Sequence, residues 1–211
     1  MILSTIDKLI VQFDRGLRTL NGIIETTERQ NPAADIEDAP LTEKECKHSA
    51  GLMRVNHVGE ICAQALYEGQ ALTAKSEQVK EKMQHAAMEE NDHLQWCEDR
   101  LKELSSRTSY LNPFWYVSSF AMGAIAGAIG DKWSLGFVVE TEHQVEEHLN
   151  GHLDELPKND NKSRAIVEQM KADEIKHANM AQESGAANLP DVVKKLMRIK
   201  AKVMTSSAYW L

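Results

Sequence analysis

Cysteine is scarce: Cys46, Cys62 and Cys97 are the only three among 211 residues, and no two form a Cys-x-x-Cys pair. An odd, scattered set excludes a disulfide framework and a thiolate zinc site, and points to a reducing compartment. Positive charge is also in the minority, with 24 Lys and Arg against 32 Asp and Glu, a net charge of −8 and a pI near 5.5. Neutralising a polyanion needs a clustered positive field, so no nucleic-acid partner is expected. The first ten residues carry Asp7 and lack a basic stretch followed by a long apolar run. They read as neither a secretory signal nor an Arg-rich transit peptide, and the expectation is a cytoplasmic location, most simply in a bacterium.

Strand signals are few and helical periods dominate, which makes the chain all-α. Its length suits a single domain, 1–211. Breakers at Asn31-Pro32, Ala39-Pro40, Asn112-Pro113, 156–163 and 184–190 delimit about six helices. These are expected over 4–28, 43–76, 78–106, 113–150, 160–184 and 190–207, the fourth broken near 130–134. Thr42-x-x-Glu45 after Pro40 reads as a capping box opening the second helix. Short connections favour antiparallel neighbours, so 43–184 is read as a four-helix bundle with added helices at 1–28 and 190–207.

A carboxylate on the apolar stripe of a helix must be paired, hydrogen-bonded or metal-bound to offset its lost hydration. Four helices carry such an intrusion. Three-and-four spacing puts Glu60 on a face with Met53, Asn56, Ala63 and Tyr67, and Glu90 on one with Met83, Ala87, Leu94 and Cys97, with His93 one turn on. Glu142 shares its face with Val138, Val145 and Leu149, and Glu174 and His177 share theirs with Val167, Met170 and Ala181. The order is Glu60, Glu90-x-x-His93, Glu142, Glu174-x-x-His177: one helical hairpin used twice. Four buried carboxylates balance two divalent cations, and each histidine adds a neutral nitrogen donor. This is similar to the ligand set of ferritin-like di-iron and di-manganese bundles.

Glu-x-x-His alone is a weak signal, because Glu45-x-x-His48 and Glu140-x-x-His143 also occur. The first belongs to the capping box, and the second puts Glu140 off the apolar stripe. An oxygen-rich site with one imidazole per ion suits iron or manganese, and iron is expected. Cys97 reads as a packing residue.

Arg54-Val55-Asn56-His57-Val58-Gly59-Glu60, followed by Ala63, Tyr67 and Gly69-Gln70, resembles the opening motif of the demethoxyubiquinone hydroxylase family. Glu89-Glu90-Asn91-Asp92-His93-Leu94 and Asp173-Glu174-Ile175-Lys176-His177 resemble its later ligand motifs. The resemblance implies that Glu60, Glu90, His93, Glu142, Glu174 and His177 bind two iron ions, with Glu90 or Glu174 bridging. It also implies that His148 lies near the substrate. Tyr67 falls on the metal-facing side, either as a hydroxyl donor in the chemistry or as a core tyrosine. The segment 140–144 departs from the animal pattern, and Glu146 is the alternative third carboxylate. The implied reaction is O2-dependent hydroxylation of the benzoquinol ring of 2-polyprenyl-3-methyl-6-methoxy-1,4-benzoquinol in ubiquinone biosynthesis. An iron-storage or peroxide-scavenging bundle is the alternative.

Residues 108–130 carry no charge and include Phe114, Trp115, Tyr116 and Phe120 before a glycine-alanine run. The segment reads as an interfacial surface or lipid-substrate entrance, with a buried helix and a membrane span as alternatives. On 190–207, Val192, Leu196, Ile199 and Val203 share a face, with Lys194, Lys195, Arg198, Lys200 and Lys202 elsewhere. That amphipathic pattern suits an anionic leaflet, so peripheral attachment to the cytoplasmic face of the inner membrane is expected. The electron source, a reductase partner or ubiquinone-biosynthesis complex, and homo-oligomerisation are left open.

Overall fold

A computed structural model of the chain describes residues 5–23, 26–37 and 40–211. Among them are seven helices and no strand: α1 Thr5–Leu20, α2 Glu43–Thr73, α3 Glu77–Glu103, α4 Asn112–Ile129, α5 Asp131–Glu155, α6 Asn161–Glu183 and α7 Asp191–Ala208.

Local chemistry sets the helix ends. Thr42 Oγ1 accepts from the Glu45 amide while Glu45 accepts from the Thr42 amide at 2.8 Å, completing the expected capping box. Ser76 caps α3 and Asp160 caps α6 through their side-chain oxygens. The long fourth helix divides at Gly130, whose φ of 145° is closed to ordinary L-residues. Asp131 then accepts from the Lys75 and Ser76 amides at 2.9 Å each, tying the start of α5 to the α2–α3 turn.

The first helix is shorter than its sequence pattern implies. Gly22 takes a left-handed φ of 67°, and the Ile23 amide donates to Arg18 O at 2.8 Å, a Schellman-type stop. The chain then runs without helix through the described residues to Thr42. Ser4, Ile24, Glu25 and Ala39, which the expected first helix and the Ala39-Pro40 break include, lie outside the described residues.

Helices α2, α3, α5 and α6 form the bundle, α4 lies along α2, and α7 crosses α2 and α5. Helix α2 is buried round most of its circumference because it is packed between α3 and α4. Its contact with α4 is backbone-close: a Cβ added at Gly123 would meet Leu66 O at 2.1 Å, and one at Gly69 would meet Phe120 O at 2.3 Å. The glycine-alanine run is therefore a packing seam, while Phe114, Val117, Ile125 and Ile129 on the other side of α4 are exposed. No helix among the described residues is long and apolar enough to cross a membrane.

Two apolar clusters fill the bundle. One contains Met53, Cys97, Leu149 and Met170, and the other Tyr67, Ala87, Val138 and Ala181. Each fully buried large side chain contributes about 1.5–3 kcal/mol. On all four bundle helices the acidic intrusion falls between the positions given to these clusters, so apolar layers seal a polar one from both ends.

Candidate di-metal centre

The six predicted residues converge. One oxygen or nitrogen from each of Glu60, Glu90, His93 and Glu174 lies within 4.8 Å of the others, and the same holds for Glu90, Glu142, Glu174 and His177. Glu90 and Glu174 belong to both groups, so the two sites share two carboxylates. All six are buried, none more than 5% exposed.

The helical hairpins repeat in detail. His93 Nδ1 lies 2.9 Å from Glu90 and 3.4 Å from both Glu60 and Glu174, while its Nε2 lies 3.2 Å from Asp173. His177 Nδ1 lies 3.2 Å from Glu174 and 3.3 Å from Glu90, while its Nε2 lies 2.9 Å from Glu89. Each imidazole turns one nitrogen to the inner carboxylates and the other to an outer acid. The acid preceding each Glu-x-x-His supports the histidine of the opposite hairpin. Such outer partners fix ring orientation and raise ligand basicity.

Electrostatics favour a cation here. Burial, followed by the neighbouring carboxylate, pushes Glu60 and Glu142 well above the usual carboxylate range. Burial acts the same way on Glu90, but hydrogen bonds from His177 and His93 outweigh it and hold that group low. Burial opposes charge on both histidines, yet the surrounding carboxylates raise them above the ordinary imidazole value. Glu60 Oε2 and Glu90 Oε1 have only imidazole nitrogens near them, at 3.4 and 3.3 Å, and Glu142 Oε2 is buried with no hydrogen-bond partner. Buried polar atoms normally have one, and this oxygen-rich set with one imidazole at each end fits two divalent ions.

The remaining candidates fall elsewhere. Tyr67 donates its hydroxyl to Glu142 Oε1 in a short hydrogen bond, and its ring stands edge-on to His177 at 6.2 Å. His148 is outside the cluster; its ring packs 3.9 Å from His152 and faces a cavity. Glu146 is half-buried and absent from both groups. The decoy motifs have other partners: His48 meets Tyr209 Oη and Glu155 O, and Glu140 takes Lys194 at 3.0 Å. Glu140 is buried all the same, because α7 covers it. Cys97 is buried 3.8 Å from Met170 Sδ, as a packing residue should be.

Sequence reasoning missed the outer layer. Asp173 also receives Arg29 Nη2 in a short contact, and Asp92 accepts both the amide and the hydroxyl of Thr27. The non-helical stretch after α1 is thereby fastened across α3 and α6. The repeated acid before each Glu-x-x-His was the available signal for Glu89 and Asp173; nothing local marked Arg29 or Thr27.

A cavity of about 470 Å³ opens beside the cluster, with Glu60 in its wall. Val55, Leu66, Met122, Phe137 and Met204 make it largely apolar, while His148, Ser119 and Lys200 add polar groups. It is bounded by α2, α4, α5 and α7.

Comparison with known proteins bears on the fold and the family. A dodecameric thioferritin from Bacteroides fragilis, described as a bacterioferritin-related protein, superposes with a TM-score of 0.56 over 74% of this chain and 90% of its own. At 19% identity it establishes the ferritin-like fold alone. The 3-demethoxyubiquinol 3-hydroxylase of Nitrosococcus oceani is 55% identical over 99% of this chain and 98% of its own. The protein of the same name from Burkholderia pseudomallei strain 1106a is 56% identical over 97% and 99%. The family model described as ubiquinone biosynthesis protein COQ7 matches residues 47–208, a span that holds all six clustered residues and the cavity between them and α7. The chain belongs to the COQ7 family of ubiquinone biosynthesis proteins.

Proposed function

We propose that the protein is a 3-demethoxyubiquinol 3-hydroxylase, an O2-dependent di-iron monooxygenase that adds a hydroxyl group to the ring of 2-polyprenyl-3-methyl-6-methoxy-1,4-benzoquinol. The single observation that carries the proposal is a buried, pseudo-symmetric carboxylate and histidine cluster opening on a largely apolar cavity, in a chain 55% identical to a hydroxylase of that name.

Glu60, Glu90, His93 and Glu174 would hold one iron, and Glu90, Glu142, Glu174 and His177 the other. When bound, the pair supplies the activation of dioxygen that the ring chemistry needs. Glu90 and Glu174, which belong to both groups, would serve both ions. Asp173 and Glu89 hold the histidine rings in register. Tyr67 keeps a proton next to Glu142, because burial and then the neighbouring carboxylate push its phenol well above the ordinary tyrosine value. The apolar clusters exclude water, and the cavity offers an apolar bed for a ring and the first part of a lipid tail.

The same reading places the protein peripherally on the cytoplasmic face of the inner membrane, where a polyprenyl substrate resides. It is supported by exposed apolar residues on α4, Phe114, Val117, Ile125 and Ile129, and on α7, Val192, Leu196, Ile199 and Val203. Lys195 and Lys202, both exposed, accompany the α7 stripe and complement an anionic leaflet.

Deleting the gene in a ubiquinone-producing host and extracting its lipids tests the activity. Accumulated demethoxyubiquinone, reversed by the wild-type chain, is expected. Normal ubiquinone with no precursor removes the proposal and leaves the storage or scavenging bundle in its place.

A further inference from the structure

We infer that Lys200, held by Ser119, binds an oxygen of the substrate ring inside the cavity and so selects which ring edge faces Glu60. The inference rests on the quinol reading given above and adds the residue that orients the ring.

Lys200 departs from the behaviour of its neighbours on α7. Lys194 Nζ lies 3.0 Å from Glu140 and Arg198 Nη2 lies 3.9 Å from it, so both have a carboxylate. Lys200 turns inward instead, and its Nζ donates to Ser119 Oγ at 2.9 Å. Ser119 is itself buried on α4, and both residues line the cavity that Glu60 also lines. Among the described residues no carboxylate lies within ion-pair reach of Lys200. Burial holds its ammonium below the ordinary lysine value.

An ammonium carries three donors, of which Ser119 takes one. A half-buried cation without an anion is unfavourable unless acceptors arrive to share its charge. Among the described residues no second acceptor bonds Lys200, which leaves its other donors for a ligand in the cavity. A benzoquinol has two ring oxygens in para positions, each an acceptor and each able to carry partial negative charge. Anchoring one at Lys200 fixes the rotation of the ring in the cavity, and that rotation decides which carbon is presented at the Glu60 end. A cavity with only apolar walls would hold the ring without choosing between its edges.

The test uses purified, iron-loaded protein and three soluble probes: 2-prenyl-3-methyl-6-methoxy-1,4-benzoquinol and the two monophenols that each lack one ring hydroxyl. Binding is measured anaerobically by fluorescence or calorimetry for wild type, Lys200→Met and Lys200→Gln. Hydrogen bonds to a charged donor are strong enough that Lys200→Met should weaken the parent quinol about tenfold or more. One monophenol should bind wild type about tenfold more weakly than the parent and be indifferent to the substitution. The other should behave as the parent does, and iron content and thermal midpoint should be unchanged. Lys200→Gln, which keeps a neutral donor, should lie between wild type and Lys200→Met and supplies the same cycle if the methionine variant does not fold. Unchanged parent affinity in the variants, or equal weakening of all three probes, overturns the inference and leaves the hydroxylase reading standing. Failure of every probe to bind the iron-loaded wild type removes the quinol reading together with the inference.

Discussion

At the scale of single residues, the outer acids make the sharpest predictions. Asp173→Asn retains the size of the side chain but removes the charge behind His93 Nε2. Losing such a partner lowers metal affinity about 10- to 100-fold. Competition with a chelator should place that loss at one ion of the pair, and equal affinity at both ions would show that Asp173 is only packing. Glu142→Ala should lose one or both ions on elemental analysis; retention of two per chain would move the role to Glu146. The inner residues were legible because each breaks an apolar stripe, a conflict that a lone sequence displays. Arg29 was not, since an arginine in an irregular stretch looks the same whether it faces solvent or, as here, Asp173.

Buried histidines away from the cluster give a pH dependence. Burial pushes His57 down to about 4 and His152 down to about 3, both from an ordinary 6.5. Each folded-state value lies below its unfolded one, so the unfolded chain takes up protons first as pH falls. Stability is then lost as pH falls from about 6.5 towards about 4, at up to about 1.4 kcal/mol per pH unit for each group. Denaturant melts of wild type and His57→Gln at pH 7 and pH 5 measure this. The variant should lose less stability over that interval, and an identical loss would mean that His57 is not held neutral.

At the scale of elements, the α2–α4 seam is the feature most sensitive to one methyl group. Adding a Cβ at Gly123 places it 2.1 Å from the backbone oxygen of Leu66, so the helices must part. Overpacking of this kind costs about 1–3 kcal/mol, and Gly123→Ala should lower the chemical-denaturation midpoint accordingly. An unchanged midpoint would mean that the seam is looser than the helix positions imply. Helices α2 to α6 were readable from period, caps and breakers, including the division near Gly130. The short α1 was less so: Asn21-Gly22 was the stop signal, while the apolar residues beyond it continued a helical pattern. The buried state of Glu140 was hidden for a related reason. A helix period reports the face turned to the main core, but α7 packs on another face of α5 and brings Lys194 with it.

At the scale of the whole molecule, fold and site are one construction. Apolar clusters close both ends of the bundle, four carboxylates and two histidines gather between them, and α4 and α7 add a cavity with exposed apolar flanks. The membrane reading belongs to this scale. Replacing Leu196 and Ile199 together by glutamate should reduce sedimentation with anionic phospholipid vesicles while leaving iron content intact, and unchanged sedimentation would remove α7 from the docking surface. Amphipathic period made the exposed apolar stripe of α7 readable in outline; the position of α7 beside the cavity needed the tertiary packing.

The central claim is that six side chains from four helices hold two metal ions between them. Anaerobic titration of the metal-free chain with Fe2+ tests it most directly. The account predicts saturation at two ions per chain, with both lost when Glu90 and Glu174 are replaced together by alanine. Saturation at one ion or none in the folded wild type, or two ions retained by the double variant, would contradict it.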